Sequence, residues 1–137
     1  MTADNRPLHW PLIVGALLAL LAVAAGAFGA HGLRAMVSER SLAVFQTGVS
    51  YQMTHSIALV LIALLAMQHL SRRLLGLAAG FFLAGILMFS GSLYVLVLTD
   101  IRWVGPITPV GGVCFLLGWG LLAAAGVQQA RRRQQEQ

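Results

Sequence analysis

The segment TGVSYQMTHS (Thr47–Ser56) runs without a break into the apolar block IALVLIALLAM (Ile57–Met67). The apolar block is typical of a helix in a bilayer. The hydroxyl, amide and imidazole groups before it cannot face hydrocarbon alone, because an unpaired polar group stripped of water is costly there. The segment therefore predicts a membrane helix whose polar half faces protein, water or a ligand.

The composition of the whole chain supports a membrane protein. Of 137 residues, 58% are hydrophobic and 9% are charged, and the mean hydropathy is +0.81. A membrane span takes about 20 mostly apolar residues, and four stretches qualify: residues 8–30, 49–70, 74–99 and 106–127. We predict an all-α integral membrane protein, a bundle of four transmembrane helices that forms one domain over residues 1–137, without room for a soluble catalytic domain.

Arginine positions predict the orientation of the bundle. Six arginines lie in the tails and the second connection: Arg6, Arg72, Arg73, Arg131, Arg132 and Arg133. Three lie in the first and third connections: Arg34, Arg40 and Arg102. Because arginine accumulates on the cytoplasmic side of short loops, both termini are predicted to be cytoplasmic, in a bacterial cytoplasmic (inner) membrane. The C-terminal arginines then anchor the last span or, alternatively, contact anionic lipid headgroups.

The first apolar run is expected to remain as an uncleaved helix, because it is longer than a signal-peptide core of about 7–15 residues. Small residues at four-residue spacing form two stripes: Ala22, Gly26 and Ala30, and Gly76, Gly80 and Ala84. Such stripes allow close approach of membrane helices. They predict packing within the bundle or, alternatively, a homo-oligomer or a partner membrane protein. The lipid bilayer is the other expected partner, and no nucleic acid is expected.

The connection before the second span has its own helix signal. Ser38 is a candidate N-cap. Leu42, Phe45 and Val49 follow at spacings of three and four residues, which predicts an amphipathic turn at the outer interface.

With this topology, all four spans carry polar residues in their outer halves. Tyr51 and His55 are four residues apart and share one helical face. The candidate ligand- or partner-binding residues are His31, Gln46, Tyr51, Gln52, His55, Ser90, Ser92 and Thr108. The alternative is packing: Thr54, Ser90 and Ser92 are expected to bond back to their own helix carbonyls. The N–H of Trp119, in mid-span, is expected to find a protein partner.

Catalysis is not expected at this cluster. Serine chemistry requires an orienting acid, and the outer-side acids, Glu39 and Asp100, lie in loops. No catalytic residue is predicted.

Histidine pairs raise the alternative of a haem, since two imidazoles suffice as axial ligands. His31 and His55 could meet across the first two spans, and His9 and His69 lie at the opposite side. Nothing supplies the further ligands of a zinc site. We expect no metal and no cofactor.

Transport is the other open alternative. Pro106 and Pro109 break the start of the fourth span, which is tolerated where protein or water covers the freed backbone. An oligomer with Tyr51, Gln52 and His55 along a path would carry a small solute.

Several ordered strings occur together: GAFGAHGL (residues 26–33), FQTGVSYQMTH (45–55), FSGSLY (89–94), ITPVGG (107–112) and GW (118–119). In these strings the chain resembles the family called domain of unknown function 423, small bacterial inner-membrane proteins with eukaryotic relatives. The resemblance implies a four-helix protein of the cytoplasmic membrane and implies no activity or cofactor. The leading hypothesis is therefore a non-enzymatic interaction, assembly or ligand-binding protein, with oligomeric transport of a small solute as the alternative.

Overall fold

The computed structural model describes residues 8–68 and 70–136. Within them the chain forms five α-helices: α1 (Trp10–His31), α2 (Glu39–Leu65), α3 (Arg72–Gly85), α4 (Gly91–Thr99) and α5 (Ile107–Gln135). A five-residue π-helical segment (Ile86–Ser90) joins α3 to α4 without a break, and 3₁₀ turns (Leu33–Ala35, Arg102–Val104) precede α2 and α5. Four helical stretches are long and apolar enough to cross a membrane. The predicted all-α, four-span architecture is confirmed.

Helix limits differ from the apolar stretches at two places. The second stretch was expected over residues 49–70, whereas α2 runs from Glu39 to Leu65. Ser38 is its N-cap, as predicted, and its Oγ accepts a hydrogen bond from the Ser41 backbone N–H at 3.1 Å. The amphipathic turn expected at the interface is the first part of α2, because the helix continues without interruption from its N-cap into the apolar block.

The last helix is also longer than its apolar stretch, which was expected to end at residue 127. It continues to Gln135, so the C-terminal arginines are helical. Glutamine, alanine and arginine are good helix formers, and they extend α5 beyond the apolar part of the chain.

Helices α1 and α2 pack closely through small residues spaced by seven. Gly15, Ala22 and Gly29 are the buried small residues of α1. A Cβ atom on Gly15 would lie 2.7 Å from the Ser56 carbonyl oxygen and 2.9 Å from the Leu59 Cβ, so a larger residue does not fit there. The contact therefore follows a seven-residue period, as in coiled coils.

The two predicted stripes of small residues are used unequally. In the first stripe, Ala22 is buried but Ala30 is exposed. Four residues make slightly more than one helical turn, so successive members of the stripe rotate away from α2. In the second, a Cβ atom on Gly76 or Gly80 would meet nothing within 4 Å. These two glycines therefore do not serve packing within the chain.

The second half of the chain packs through aromatic rings. Phe82 lies against Gly118 and Phe115 against Gly85, which joins the third span to α5. Both rings belong to the main apolar core, together with buried residues of α2 such as Leu59 and Ile62. Helices α2, α3 and α5 thus share one core, and α1 packs along α2.

Candidate functional site

Gln52 of α2 connects three membrane spans. Its Nε2 donates to the Leu18 backbone carbonyl of α1 at 2.8 Å. Its Oε1 accepts a hydrogen bond of 2.7 Å from the Tyr94 hydroxyl of α4. The Gln52 side chain is only 5% exposed, so both bonds lie inside the protein and hold α1, α2 and the third span in one register.

His55, three residues further on, faces α5. Its Nδ1 lies 2.7 Å from the Tyr51 backbone oxygen, and the Trp119 Nε1–H donates to its Nε2 at 3.1 Å. Because a carbonyl oxygen only accepts and an indole N–H only donates, the imidazole is neutral with its proton on Nδ1. Both ring nitrogens are therefore paired, and the predicted protein partner of Trp119 is confirmed.

Aromatic rings enclose the His55 imidazole, which is 4% exposed. It stacks on Phe115 with ring centroids 3.5 Å apart and an interplanar angle of 11°. Tyr51 stacks at 5.9 Å and 20°, and Phe82 lies at 5.4 Å. The shared face predicted for Tyr51 and His55 is confirmed, whereas the neighbouring Gln52 bonds to α1 and α4 rather than to α5.

The π-helical segment and the start of α4 carry the serines of the cluster. Ser90 Oγ donates to the Gly48 carbonyl oxygen of α2 at 2.7 Å. Ser92 Oγ donates to the Phe89 carbonyl oxygen at 2.9 Å and lies 2.6 Å from the Thr108 Oγ1 of α5. Since the Ser92 hydroxyl has one proton, Thr108 donates to Ser92. The two serines thus tie the third span to both of its neighbours.

The expected back-bonding of hydroxyls holds for two of the three side chains. Thr54 Oγ1 donates to Ser50 O at 2.9 Å, and Ser92 bonds within its own span. For Ser90 the expectation is wrong, because its partner lies on α2. The π-helical segment changes the direction of the side chains at this point, which a regular helical projection of the sequence cannot show.

The remaining predicted site residues lie at the surface. Tyr51 is 44% exposed, His31 is exposed and Gln46 is half-buried. Gln46 lines a groove of about 510 Å³ between the end of α1, the first connection and the start of α2, called the outer groove after the predicted orientation. Its lining residues are Ala30, Arg34, Val37, Glu39, Leu42, Ala43 and Gln46. Of these three residues Gln46 lines the groove, whereas His31 and Tyr51 are not among its lining residues.

The histidines do not form a pair across the first two spans. Gln46 of α2 lies beside Gly29 of α1, close to His31 in the sequence. His55 is nine residues further along α2, about 13 Å at 1.5 Å per residue. His69, of the second expected pair, lies outside the described residues. Within the described ranges no group of three or more His, Cys, Asp or Glu side chains could hold a metal ion.

Sequence reasoning missed Tyr94 and Phe115 as members of the cluster. Tyr94 follows Ser90 by four residues, and Phe115 precedes Trp119 by four, so each shares a helical face with a residue already singled out. That spacing was the available signal.

The model of the family described as "Protein of unknown function (DUF423)" matches residues 25–112. The chain belongs to this family. The matched region contains all eight predicted site residues, from His31 to Thr108.

Curated relatives agree with the membrane assignment. A UPF0382 membrane protein of Staphylococcus aureus is 46% identical over 114 residues, 83% of this chain and 92% of the relative. The UPF0382 membrane protein YwdK of Bacillus subtilis is 44% identical over 117 residues, 85% of this chain and 95% of the relative. No solved structure matches the chain. The protein is a multi-pass protein of the cytoplasmic membrane, from a family without an established molecular function.

Proposed function

We propose that the protein is a non-enzymatic interaction protein of the membrane. Its buried polar cluster holds the four spans in register, and the outer groove binds a ligand or a partner. The observation that carries this proposal is the set of hydrogen bonds made by the Gln52 and His55 side chains. Their polar side-chain atoms are bonded to other helices or to their own backbone, which supports a packing role for the cluster.

The outer groove supplies the binding part of the proposal. Arg34 and Glu39 bring opposite charges to its rim, and Gln46 brings an amide. Both charged residues are exposed. Opposite charges beside an amide suit a polar or zwitterionic group, which pairs with both charges at once.

Native mass spectrometry of the full chain, released gently from its own membrane, tests the proposal. We expect a discrete added mass on the wild-type protein, from a lipid, a small molecule or a partner chain. Arg34→Gln and Gln46→Ala should each lose it while thermal unfolding stays unchanged. Arg40→Gln is the matched control, because Arg40 lies in the first turn of α2 beside the lining residue Glu39 but does not line the groove.

The results separate the proposal from its alternatives. Retention of the added mass in both groove variants would contradict binding at this groove. A wild-type protein without any added mass would leave the polar cluster as a packing device alone and would contradict the interaction function.

Oligomeric transport of a small solute is the second candidate, favoured by one observation. Tyr51 is half-exposed on the outside of the bundle, so it is available to line a path between copies of the chain. Solute flux into reconstituted vesicles should then depend on Tyr51, with Tyr51→Ala reducing it. Flux of ions and small polar solutes no greater than into empty vesicles would exclude this function.

A further inference from the structure

A second groove lies at the opposite end of the bundle, between the first turn of α3 and the last part of α5. Its volume is about 530 Å³, and its lining residues are Leu74, Ala124, Val127, Gln128, Arg131, Arg132 and Gln135. Grooves that hold small molecules have volumes of about 300–1,000 Å³. The size is therefore sufficient for part of a lipid molecule.

The groove changes character along α5. Its first part is apolar, with Ala124 and Val127 on α5 and Leu74 on α3, and its last part carries Arg131 and Arg132. Helix α5 has 29 residues. At 1.5 Å per residue its length is about 43 Å, which exceeds the hydrocarbon core of about 30 Å. Part of α5 therefore extends beyond the hydrocarbon core, and the arginines place the polar end of the groove on the side that suits the headgroup layer.

Positive charge is concentrated at the polar end of this groove. Arg72 and Arg73 begin α3, directly before the lining residue Leu74. Among the residues that the structure describes, Arg131 and Arg132 have no carboxylate partner, and Arg102 pairs with Asp100 at the other end of the bundle at 3.7 Å. Guanidinium groups bind phosphate oxygens strongly, often through two hydrogen bonds.

We propose that this groove binds one anionic phospholipid of the adjacent leaflet, with its phosphate at Arg131 and Arg132 and an acyl chain along Leu74 and Val127. A lipid fits better than a free phosphate, because the apolar part of the groove is continuous with the bilayer. The inference does not depend on the outer groove or on what that groove binds.

Lipid titration followed by native mass spectrometry of the full chain in detergent tests this proposal. The probes are phosphatidylglycerol, phosphatidylcholine and inorganic phosphate. We expect phosphatidylglycerol to bind most tightly and the double variant Arg131→Gln/Arg132→Gln to weaken that binding about 25-fold. This corresponds to about fivefold, or about 1 kcal/mol, for each arginine, the usual net contribution of one hydrogen bond.

Arg133→Gln is the matched control, because it removes the same charge from the neighbouring residue, which does not line the groove. We expect less than about a twofold change for it. Equal weakening of phosphatidylglycerol binding by the single variants Arg133→Gln and Arg131→Gln would show general charge attraction and overturn the proposal.

A variant of the apolar part distinguishes the two sources of phosphate. Val127 lines the groove and is exposed, so Val127→Ala removes apolar surface without placing a polar group in the bilayer and should leave folding unchanged, as thermal unfolding will verify. It should weaken phosphatidylglycerol binding without changing the net charge. Binding of inorganic phosphate as tight as that of phosphatidylglycerol, with no effect of Val127→Ala on either, would show an ion site rather than a lipid site.

Discussion

Helix α2 contacts its neighbours through two faces that are built differently. Toward α1 the contact is close, with Gly15 against the α2 backbone and Gln52 bonded to the backbone oxygen of Leu18. Toward α5 the contact is aromatic, with His55 stacked on Phe115 and bonded to Trp119. One face uses the backbone as partner, and the other uses specific side chains.

This difference predicts that neighbouring polar residues of α2 contribute unequally to the stability of the fold. A backbone carbonyl is present whatever the residue, so the α1 face depends mostly on small size. The α5 face requires one imidazole stacked on the Phe115 ring and one indole N–H. We therefore expect substitutions on the α5 face to have the larger effect on stability.

The largest effect is expected for His55→Ala. It removes a buried ring and leaves the Trp119 N–H without its acceptor, so the free energy of unfolding should fall by about 3 kcal/mol, within the range of large-to-small core changes. Unfolding in mixed micelles, followed by circular dichroism during titration with sodium dodecyl sulfate, measures it.

His55→Phe separates the two contributions, because it keeps a ring on Phe115 and removes the acceptor of the Trp119 N–H, together with the local hydrogen bond to the Tyr51 carbonyl oxygen. It should cost about 1 kcal/mol, as expected for an unpaired donor. A value for His55→Ala within about 0.5 kcal/mol of wild type, the usual range for surface changes, would contradict the comparison.

The second-largest effect on the free energy of unfolding is expected at the close contact between α1 and α2. Gly15→Ala places a methyl group against the Ser56 carbonyl oxygen and should cost about 1–3 kcal/mol through overpacking. Gly26→Ala on the same helix is the matched control, since its Cβ would meet only the Val49 Cγ1 at 3.4 Å. The same unfolding assay compares the two variants. Equal losses in the free energy of unfolding would contradict the seven-residue contact as the basis of α1 packing.

The smallest effect is expected for the hydrogen bond from Tyr94 to Gln52. Tyr94→Phe should cost about 0.6 kcal/mol, the mean found for hydrogen bonds between membrane helices. Gln52→Leu should cost about twice as much, because it also removes the bond to the Leu18 carbonyl oxygen. A double-mutant cycle checks whether the two side chains are coupled. Additive costs would mean that this bond contributes nothing to the register of the spans.

The four-span fold was predictable because hydrophobic length alone specifies membrane helices. The close contact of α1 was predicted less well. Both Ala22–Gly26–Ala30 and Gly15–Ala22–Gly29 are present in the sequence, and only the crossing of α1 and α2 selects the seven-residue period. The helical C-terminal part of α5 was missed because apolar length does not report on polar helices.

The membership of the polar cluster was predictable in part. Gln52 and His55 were identified because a polar side chain in a membrane helix must face protein or water. Their separation onto two faces was not, since it depends on where α1 and α5 pack. The binding roles assigned to His31, Gln46 and Tyr51 stay predictions.

The π-helical segment Ile86–Ser90 rotates the side chains of α4 around the helix axis relative to those of α3. A π turn contains one extra residue, and one residue corresponds to a rotation of about 100° around a helix axis. As a result α3 packs mainly on α5, whereas α4 packs mainly on α2. Deleting one residue from the segment would remove this rotation and turn Tyr94 away from Gln52, although every side chain of the cluster would still be present.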